Sequence, residues 1–230
     1  MGISENINNI RNRIESAALK AGCNLENIKL LAVTKTQNSV TIDEAIKTGT
    51  YYIAENRIQE AETKLPNLKE TYKEFHFIGH LQSNKIPKLM ALKPDLIHSI
   101  EKLSTAKKLN EYLISKNIFQ NILIQVNTSG EASKSGVAPD EAIDLIKEVS
   151  LLSNINILGL MTIGMFTNDK QIIRKCFRTL REIFEQTKTQ KIPGIQMKYL
   201  SMGMTGDFEI AIEEGANILR IGSAIFGKRY

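Results

Sequence analysis

Short apolar segments recur along the chain, and longer stretches with a different hydrophobic period separate them. Each apolar segment is five to nine residues long and is bounded by polar or glycine-containing turns. Segments of this length and setting are typical of buried strands. Eight strands are therefore predicted, at residues 28–33, 51–55, 75–79, 95–100, 121–127, 155–163, 197–203 and 217–222.

Amphipathic helices are predicted between these strands. Apolar side chains recur every three or four residues in segments 140–152 and 172–187, a spacing that gathers them on one helix face. Asp140 and the polar segment 167–169 supply start signals for these two helices. Ahead of the first strand, residues 3–21 are predicted to form an additional helix with four apolar side chains facing inward, namely Ile7, Ile10, Ile14 and Leu19.

The alternation of strands with helices predicts a parallel sheet covered by helices. Eight strands are the number that closes a (β/α)8 barrel of the TIM type, whereas an open doubly wound sheet is the alternative on pattern alone. No Pro/Gly/Ser-rich linker, internal repeat or low-complexity tract divides the chain. We therefore expect one α/β barrel domain over residues 1–230 with an extra N-terminal helix.

The composition is that of an ordinary globular protein and argues against several functions. Hydrophobic residues make up 42% and charged residues 24% of the 230 residues. The net charge of +5 includes no basic arm, and tryptophan is absent, so we expect no nucleic-acid binding. The chain has no signal pattern, no apolar run of membrane-span length, and no CxxC or metal-ligand partner for Cys23 or Cys176. We expect a cytoplasmic protein with reduced thiols and without a metal.

A lysine follows the first strand directly. The segment LLAVTKTQ changes from apolar to polar residues at Thr34, and Lys35 comes next. Active sites of (β/α)8 barrels lie at the carboxyl ends of the strands, so Lys35 is expected in the mouth of the barrel. Many lysines that end strands are only surface residues, and that interpretation stays open. The apolar run nevertheless places the stem of Lys35 in a dry environment, where an amine can act as a nucleophile toward a carbonyl group.

Two glycine-containing turns follow the last two predicted strands. Ser201, Gly203, Thr205 and Gly206 follow strand seven, and the Gly222–Ser223 pair follows strand eight. Loops at these positions of a barrel often bind phosphate through backbone N–H groups and hydroxyls. The glycines alone could simply form tight turns, but two such clusters at consecutive strand ends favour a phosphate site. Asp207 is expected to cap a short helix over residues 207–214.

Arg220 interrupts an otherwise apolar strand. An unpaired buried guanidinium is very costly, so Arg220 must be paired or face the interior of the barrel. The arginine, the phosphate site and Lys35 would then share one mouth. A phosphorylated aldehyde satisfies all three features.

Six motifs in this order resemble those of the pyridoxal-phosphate homeostasis proteins, the single-domain relatives of the barrel half of alanine racemase. The motifs cover about residues 28–229, and they are LLAVTKTQ, AENRIQE, FHFIGHLQSNK, VNTSGEASKSG, GLMTIG and SMGMTGDFEIAIEEGANILRIGSAIFG. The resemblance implies a (β/α)8 barrel that binds pyridoxal 5'-phosphate (PLP) as an internal aldimine on Lys35. It also implies a role in vitamin B6 and amino-acid homeostasis without an established enzymatic turnover.

The resemblance implies a role for individual residues of the site. Lys35 matches the Schiff-base lysine, Arg220 the arginine that faces the pyridine nitrogen, and Asn56 a polar residue near the cofactor ring. Ala54 and Thr34 depart from the family pattern, where glycine and serine are more usual. The residues that match the phosphate cradle are Ser201, Gly203, Thr205, Gly222 and Ser223.

Several features argue against fast catalysis. Arginine is always cationic and only donates hydrogen bonds, so Arg220 would leave the pyridine nitrogen unprotonated and the cofactor a weak electron sink. The racemase to which the family is related takes a second base, a tyrosine, from an additional C-terminal domain of its partner subunit, and that domain is not expected after Tyr230. We therefore expect a monomeric PLP carrier or regulator, with PLP-dependent apoenzymes as possible recipients. A low-activity amino-acid racemase and a Schiff-base aldolase are the alternatives.

The three histidines are not expected to bind a metal, because no carboxylate motif accompanies them. His76 and His98 lie within predicted strands and are expected to be packed side chains. His80 follows strand three and could be a general base, although a role in holding its loop is favoured. Lys134 lies in a Gly/Ser loop and is expected to be a solvated lysine rather than an anion ligand.

Overall fold

The structure, a computed structural model that describes residues 2–131 and 133–227, is a closed barrel of parallel strands. Eight strands in these residues pair in sequence order, and β1 pairs with β8 to complete the ring. The predicted (β/α)8 fold is therefore confirmed, and the open sheet is excluded. Tyr230 lies outside the described residues. The strands are β1 (Lys29–Val33), β2 (Tyr52–Glu55), β3 (Glu74–Phe77), β4 (Leu96–Ile100), β5 (Gln120–Gln125), β6 (Ile155–Met161), β7 (Ile195–Ser201) and β8 (Ile218–Ile221).

Closure of the barrel places the last two strands beside the first two. In the register of the sheet, Ala32 of β1 lies opposite Ile221 of β8, and Val33 of β1 lies opposite Ala54 of β2. Ser201 of β7 lies opposite Ile218 of β8. The carboxyl ends of β7, β8, β1 and β2 therefore form one continuous arc of the mouth, which we call the β7–β2 arc.

Helices cover the outside of the barrel, and the N-terminal helix is present as predicted. Ile7, Ile10 and Ile14 of that helix are buried, but Leu19 is 84% exposed, so its predicted inward position is wrong. Leu19 lies five residues after Ile14 and so falls off the apolar stripe, where Ala17 and Ala18 take its place. The helices are α1 (Ile3–Ala21), α2 (Ser39–Lys47), α3 (Ile58–Lys64), α4 (Ile86–Ala91), α5 (Leu103–Lys116), α6 (Ala142–Ser150), α7 (Lys170–Thr189), α8 (Phe208–Glu213) and α9 (Ser223–Phe226).

One of the three acidic start signals caps its helix. The Asp169 carboxylate accepts hydrogen bonds from the backbone N–H groups of Gln171 and Ile172 and begins α7. Asp140 does not cap a helix, because α6 begins two residues later, after Glu141. Asp207 occupies the residue before α8, but its Oδ1 atom accepts from the N–H of Met204, 2.6 Å away, instead of from the helix. The predicted cap is therefore wrong, and Asp207 closes the preceding loop.

Apolar side chains fill two layers. The larger layer lies between the strands and the surrounding helices, and it includes Ile7, Phe77, Phe177 and Phe208. A smaller cluster fills the interior of the barrel and contains Leu31, Val33, Ala54, Leu96, Leu123, Met161 and Ile218. Side chains two residues apart on a strand share a face, so the members of this inner cluster show which other positions of their strands point inward. None of the helices in the two described ranges is long and apolar enough to cross a membrane.

Candidate cofactor site

The site residues expected from the sequence lie at the carboxyl ends of four neighbouring strands. Lys35 follows β1, Asn56 follows β2, and Arg220 belongs to β8. Ser201 ends β7, and Gly203 and Thr205 lie in the loop after it, whereas Gly222 and Ser223 follow β8. The β7–β2 arc thus brings together residues that are up to 188 positions apart in the chain (223 − 35).

Both neighbours of Lys35 are held by three charged side chains, Glu55, Glu60 and Lys64, which we call the lysine clamp. Glu55 ends β2 and accepts a 2.6 Å hydrogen bond from the Thr34 hydroxyl. Glu60 accepts from the backbone N–H of Thr36 at 2.6 Å. Lys64 donates to the carbonyl of Thr34 at 2.9 Å and forms ion pairs with both glutamates. The backbone on either side of Lys35 is therefore fixed from β2 and α3.

The conformation of Thr36 explains why the loop needs these contacts. Thr36 has φ of +66°, in the left-handed region that β-branched residues rarely adopt. A residue held in such a conformation stores local strain, and it persists only where the surrounding contacts determine it. The bond from its N–H group to Glu60 supplies one of them.

Burial and hydrogen bonding act on the two clamp carboxylates in opposite senses. Burial raises the pKa of Glu55, although Lys64 and Thr34 oppose that change. Burial also disfavours the charge on Glu60, but hydrogen bonds from Lys64 and from the N–H of Thr36 outweigh it and lower the pKa of Glu60. Glu60 is thus the firmly ionised partner of Lys64. No local sequence pattern predicts a site role for Glu55, Glu60 or Lys64, although the motif AENRIQE contains both glutamates.

Arg220 points into the barrel. It lies two residues after Ile218, a member of the inner apolar cluster, and it is only 5% exposed. Its Nη1 atom donates to the hydroxyl of Ser201 at 2.6 Å, and its Nη2 atom donates to the carbonyl of Thr162 at 2.7 Å. Burial lowers the pKa of Arg220 to about 10, and the charge of Asp207 opposes that change. Arg220 is therefore paired and inward-facing, as expected, and it is still a cation at pH 7.

The hydroxyl-bearing residues of the arc divide into two groups. Ser201 is fully buried, and its hydroxyl contacts Arg220 and the Nδ1 atom of His98. Thr205 and Ser223 lie nearer the surface, with their hydroxyl oxygens 3.1 Å apart, and Thr205 also accepts from the N–H of Ala224. The loops after β7 and β8 are therefore tied together through Thr205 and Ser223, whereas Ser201 belongs to the layer beneath them.

Gly203 is required by the path of the first of these loops. Its φ is +90°, and a Cβ atom at this position would lie 2.6 Å from the Cβ atom of Ala211. Any larger residue would push α8 away from the loop. The carbonyl of Gly203 accepts from the backbone N–H of Arg220 at 3.0 Å, which ties the loop to β8. Gly222 is also close-packed, because its Cβ would lie 3.3 Å from the carbonyl oxygen of Val33.

Asn56 carries an acceptor without a partner. Its Oδ1 atom is buried and makes no hydrogen bond, a condition that is uncommon in a folded protein and that marks a place where a ligand or water can donate. The backbone of Asn56 is pressed against Gly79, at which a Cβ would lie 2.0 Å from the Asn56 carbonyl oxygen. The side chain therefore starts from a fixed backbone on the β7–β2 arc.

Comparison with known proteins identifies the family. The sequence model described as alanine racemase, N-terminal domain, matches residues 3–230. The chain is 42% identical over 231 residues to the pyridoxal phosphate homeostasis protein of Vibrio cholerae, covering 99% of this chain and 96% of that protein. It is 39% identical over 229 residues to the protein of the same name from Aquifex aeolicus, covering 100% and 99%. The chain belongs to the pyridoxal phosphate homeostasis protein family.

A solved structure agrees with this family assignment. PipY of Synechococcus elongatus, determined with PLP bound, superposes with a TM-score of 0.80 at 29% identity and covers 95% of this chain and 100% of that one. The resemblance inferred from the six motifs is therefore confirmed. The role of each site residue in this member of the family stays a prediction.

Other predicted residues lie away from the arc or have structural partners. His80 is half-exposed and lies 3.4 Å from Glu101, so it holds two loops near each other. Lys134 is less solvated than expected, because its Nζ atom donates to the carbonyl of Gly164 at 3.0 Å and pairs with Glu131. Within the described part of the chain, no three His, Cys, Asp or Glu side chains are grouped as a metal site would require.

Proposed function

We propose that this protein binds pyridoxal 5'-phosphate in the mouth of the barrel and takes part in intracellular PLP and amino-acid homeostasis. The observation that carries the proposal is the β7–β2 arc, which brings an amine, a hydroxyl pair on two loops and a buried cation to one side of the mouth. These three features match the aldehyde, the phosphate and the pyridine nitrogen of PLP. The family names and the PLP-bound relative support the same conclusion.

The described residues fit this cofactor. Lys35 would hold the aldehyde carbon through its Nζ atom, and the lysine clamp fixes the backbone that carries it. Thr205 and Ser223, with the loop backbones at Gly203 and Gly222, offer donors to a phosphate group. The unpartnered Oδ1 atom of Asn56 is an acceptor for a hydroxyl group of the ring. Ser201 supports Arg220 in this arrangement, and its predicted contact with phosphate stays a prediction.

Arg220 would make the protein a poor catalyst. PLP supplies an electron sink whose strength depends on the partner of its pyridine nitrogen. A guanidinium with a pKa of about 10 is a cation at pH 7 and can only donate. It would therefore face an unprotonated nitrogen, which withdraws electrons weakly. We propose that the protein holds and releases PLP without turning over a substrate, as a monomer in the cytoplasm that can pass PLP to apoenzymes.

The test compares two lysines at the mouth. Lys35→Ala is expected to remove the absorbance band of lysine-bound PLP and to leave the far-ultraviolet circular dichroism unchanged. Lys102 is exposed just after β4, and Lys102→Ala should keep the band. Borohydride reduction followed by peptide mass analysis should label Lys35 alone. A retained band in Lys35→Ala, or a label on another lysine, would overturn the proposal.

A second measurement tests the absence of turnover. The purified protein is incubated with L-alanine and with D-alanine, and the enantiomers are separated. We expect no racemisation above the level given by free PLP. Racemisation that disappears in Lys35→Ala would show that the protein is a low-activity racemase instead.

A further inference from the structure

A series of polar side chains crosses the apolar interior of the barrel below the proposed site. At the amino ends of the strands, Lys29 donates to both oxygens of Glu74, at 2.6 and 2.7 Å. The Oε2 atom of Glu74 also lies 2.7 Å from the Nε2 atom of His76. Lys29 begins β1 and Glu74 begins β3, so this ion pair lies at the end of the barrel opposite Lys35, and His76 lies two residues further along β3.

The series continues upward to Arg220. The Nδ1 atom of His76 lies 2.8 Å from the Nε2 atom of His98 on β4, and the Nδ1 atom of His98 lies 3.0 Å from the hydroxyl of Ser201. Ser201 in turn accepts from Arg220. Both histidines are fully buried. We call the four residues between Lys29 and Arg220, which are Glu74, His76, His98 and Ser201, the interior chain.

The two ends of the interior chain, together with neutral histidine rings, fix the direction of the hydrogen bonds within it. A guanidinium only donates, so Ser201 accepts from Arg220, and its own proton can bond to the Nδ1 atom of His98 where that atom is an acceptor. An ionised carboxylate only accepts, so His76 must donate its Nε2 proton to Glu74. The Nδ1 atom of His76 is then an acceptor, and His98 donates to it from Nε2. With both rings neutral, each therefore carries its proton on Nε2.

The surrounding charges agree with neutral rings. Burial lowers the pKa of His98 well below its ordinary value, and the charged or titratable groups that face it (His76, Arg220 and Lys29) act in the same direction. Burial also lowers the pKa of His76, where Lys29 adds to the change and Glu74 and Asp95 oppose it. Hydrogen bonds from His76 and Lys29 lower the pKa of Glu74 to about 2, so the lower end of the chain is an anion at neutral pH.

We propose that the interior chain positions Arg220 for the ligand site, through hydrogen bonds that all run in one direction and connect Arg220 to the opposite end of the barrel. His98 is the positioning residue, because it holds the hydroxyl of Ser201 in the orientation that accepts from Arg220. The guanidinium has no carboxylate among its two hydrogen-bond partners, so its orientation depends on the neutral acceptors Ser201 and Thr162. The hydroxyl of Ser201 accepts from Arg220 in one fixed orientation only if its own proton is bonded to an acceptor. That acceptor is the Nδ1 atom of His98. The effect on a bound ligand rests on the proposed function, whereas the direction of the chain does not.

The first experiment reads the direction of the chain in wild-type protein without cofactor. A long-range ¹⁵N–¹H spectrum of the histidine rings distinguishes the two neutral tautomers and the protonated ring. We expect two rings, assigned through His76→Gln and His98→Asn, to be neutral with the proton on Nε2 from pH 6 to pH 8. A proton on Nδ1 of either ring, or a charged ring at pH 7, would overturn the proposal. The tautomers are read in the wild-type protein, and folded variants are needed only to assign the two rings.

The second experiment uses two substitutions whose side chains have the same number and branching of heavy atoms. His98→Asn places a carbonyl oxygen near the position of Nδ1 and can accept from Ser201, whereas His98→Leu cannot. Both variants lose the link to His76, so the loss of that link alone would affect them equally. Hydrogen exchange of the Arg220 guanidinium, assigned through Arg220→Lys, should become about tenfold faster in His98→Leu than in His98→Asn. Equal exchange in the two variants would overturn the proposal.

Titration with PLP then separates this proposal from the proposed function. We expect His98→Leu to bind PLP about tenfold more weakly than His98→Asn and to shift its absorbance maximum, because Arg220 no longer faces the ring in one orientation. Failure of the wild-type protein to bind PLP would defeat the proposed function, and the exchange of Arg220 would still decide the proposal made here. Equal affinity and equal spectra in the two variants would count against the interior chain.

Discussion

The contacts of Glu74, at the lower end of the interior chain, lead to a quantitative prediction about the stability of the fold. Replacing Glu74 with Gln removes a carboxylate that accepts from His76 and from Lys29. These contacts lower the pKa of Glu74 from 4.5 to about 2, and one unit of pKa corresponds to about 1.4 kcal/mol. The full difference is therefore about 3 kcal/mol. The side chain is 30% exposed, so solvent screening reduces the expected loss in Glu74→Gln to about 2 kcal/mol.

The sign of the pH dependence follows from the direction of that change. The carboxylate has a lower pKa in the folded state than in the unfolded state, so its stabilisation is complete above about pH 5 and is lost as the pH falls toward 2. By the same linkage, less than about half of the difference between wild type and Glu74→Gln should remain at pH 3. Protonation of the buried histidines also destabilises the fold in acid, and taking the difference between the two proteins removes the contribution of His98, which does not contact Glu74.

Urea denaturation followed by circular dichroism from pH 3 to pH 8 measures this difference. The matched control is Glu70→Gln, since the Glu70 carboxylate forms a partly exposed 3.6 Å pair with Lys47, and such pairs contribute about 0 to 1 kcal/mol. The reasoning is refuted if Glu74→Gln loses no more stability at pH 7 than Glu70→Gln does. It is also refuted if the difference from wild type stays constant down to pH 3.

Three further predictions concern the β7–β2 arc. Glu60→Gln weakens the lysine clamp and should slow the appearance of the Lys35–PLP absorbance band severalfold in stopped-flow mixing; an unchanged rate would contradict the clamp. Gly203→Ala should lower the free energy of unfolding by about 2 kcal/mol, because the φ of Gly203 is +90° and the added Cβ meets α8. The control is Gly206→Ala, whose added Cβ meets nothing within 4 Å. It should change the free energy of unfolding by less than about 0.5 kcal/mol. Arg220→Ala should weaken PLP binding measured by equilibrium dialysis and alter the absorbance spectrum, and unchanged values would show that Arg220 faces away from the ligand.

Much of the fold could be predicted because its signals are local. Each strand is a short apolar run, and every predicted strand agrees with an observed one to within two residues at each end. The count of eight strands favours a barrel over an open sheet, and the closed ring of strands excludes the open sheet. The predictions for Leu19 and Asp207 were wrong, because each side chain has two local arrangements that its sequence pattern does not distinguish. Leu19 lies beside the apolar stripe of α1 rather than on it, and Asp207 bonds to the loop behind it instead of to the helix ahead.

The lysine clamp shows a different limit of sequence reasoning. Lys35 can be predicted from the sequence because it follows an apolar strand, a feature of its own segment. Glu60 and Lys64 are one helical turn apart on α3 and look like an ordinary surface pair at (i, i+4) spacing. Their contact with the backbone around Lys35 depends on how α3 packs beside the end of β1, which is a tertiary arrangement that no local pattern contains.

The sequence shows which polar residues lie within strands, but it does not show that they contact one another inside the barrel. The reason is geometric. Arg220 interrupts an apolar strand and is predicted to be paired or inward-facing, whereas His76 and His98 lie within strands and are predicted only to be packed side chains. The alternation of a strand gives the face of a residue but not its height along the barrel axis. That height depends on the stagger between strands. In this barrel Arg220 of β8 lies opposite Leu31 of β1, and Leu31 lies two residues after Lys29 in the same strand. Stagger is set by closure of the whole ring, so the sequence shows which polar residues enter the barrel, and only the closed structure shows that they meet end to end.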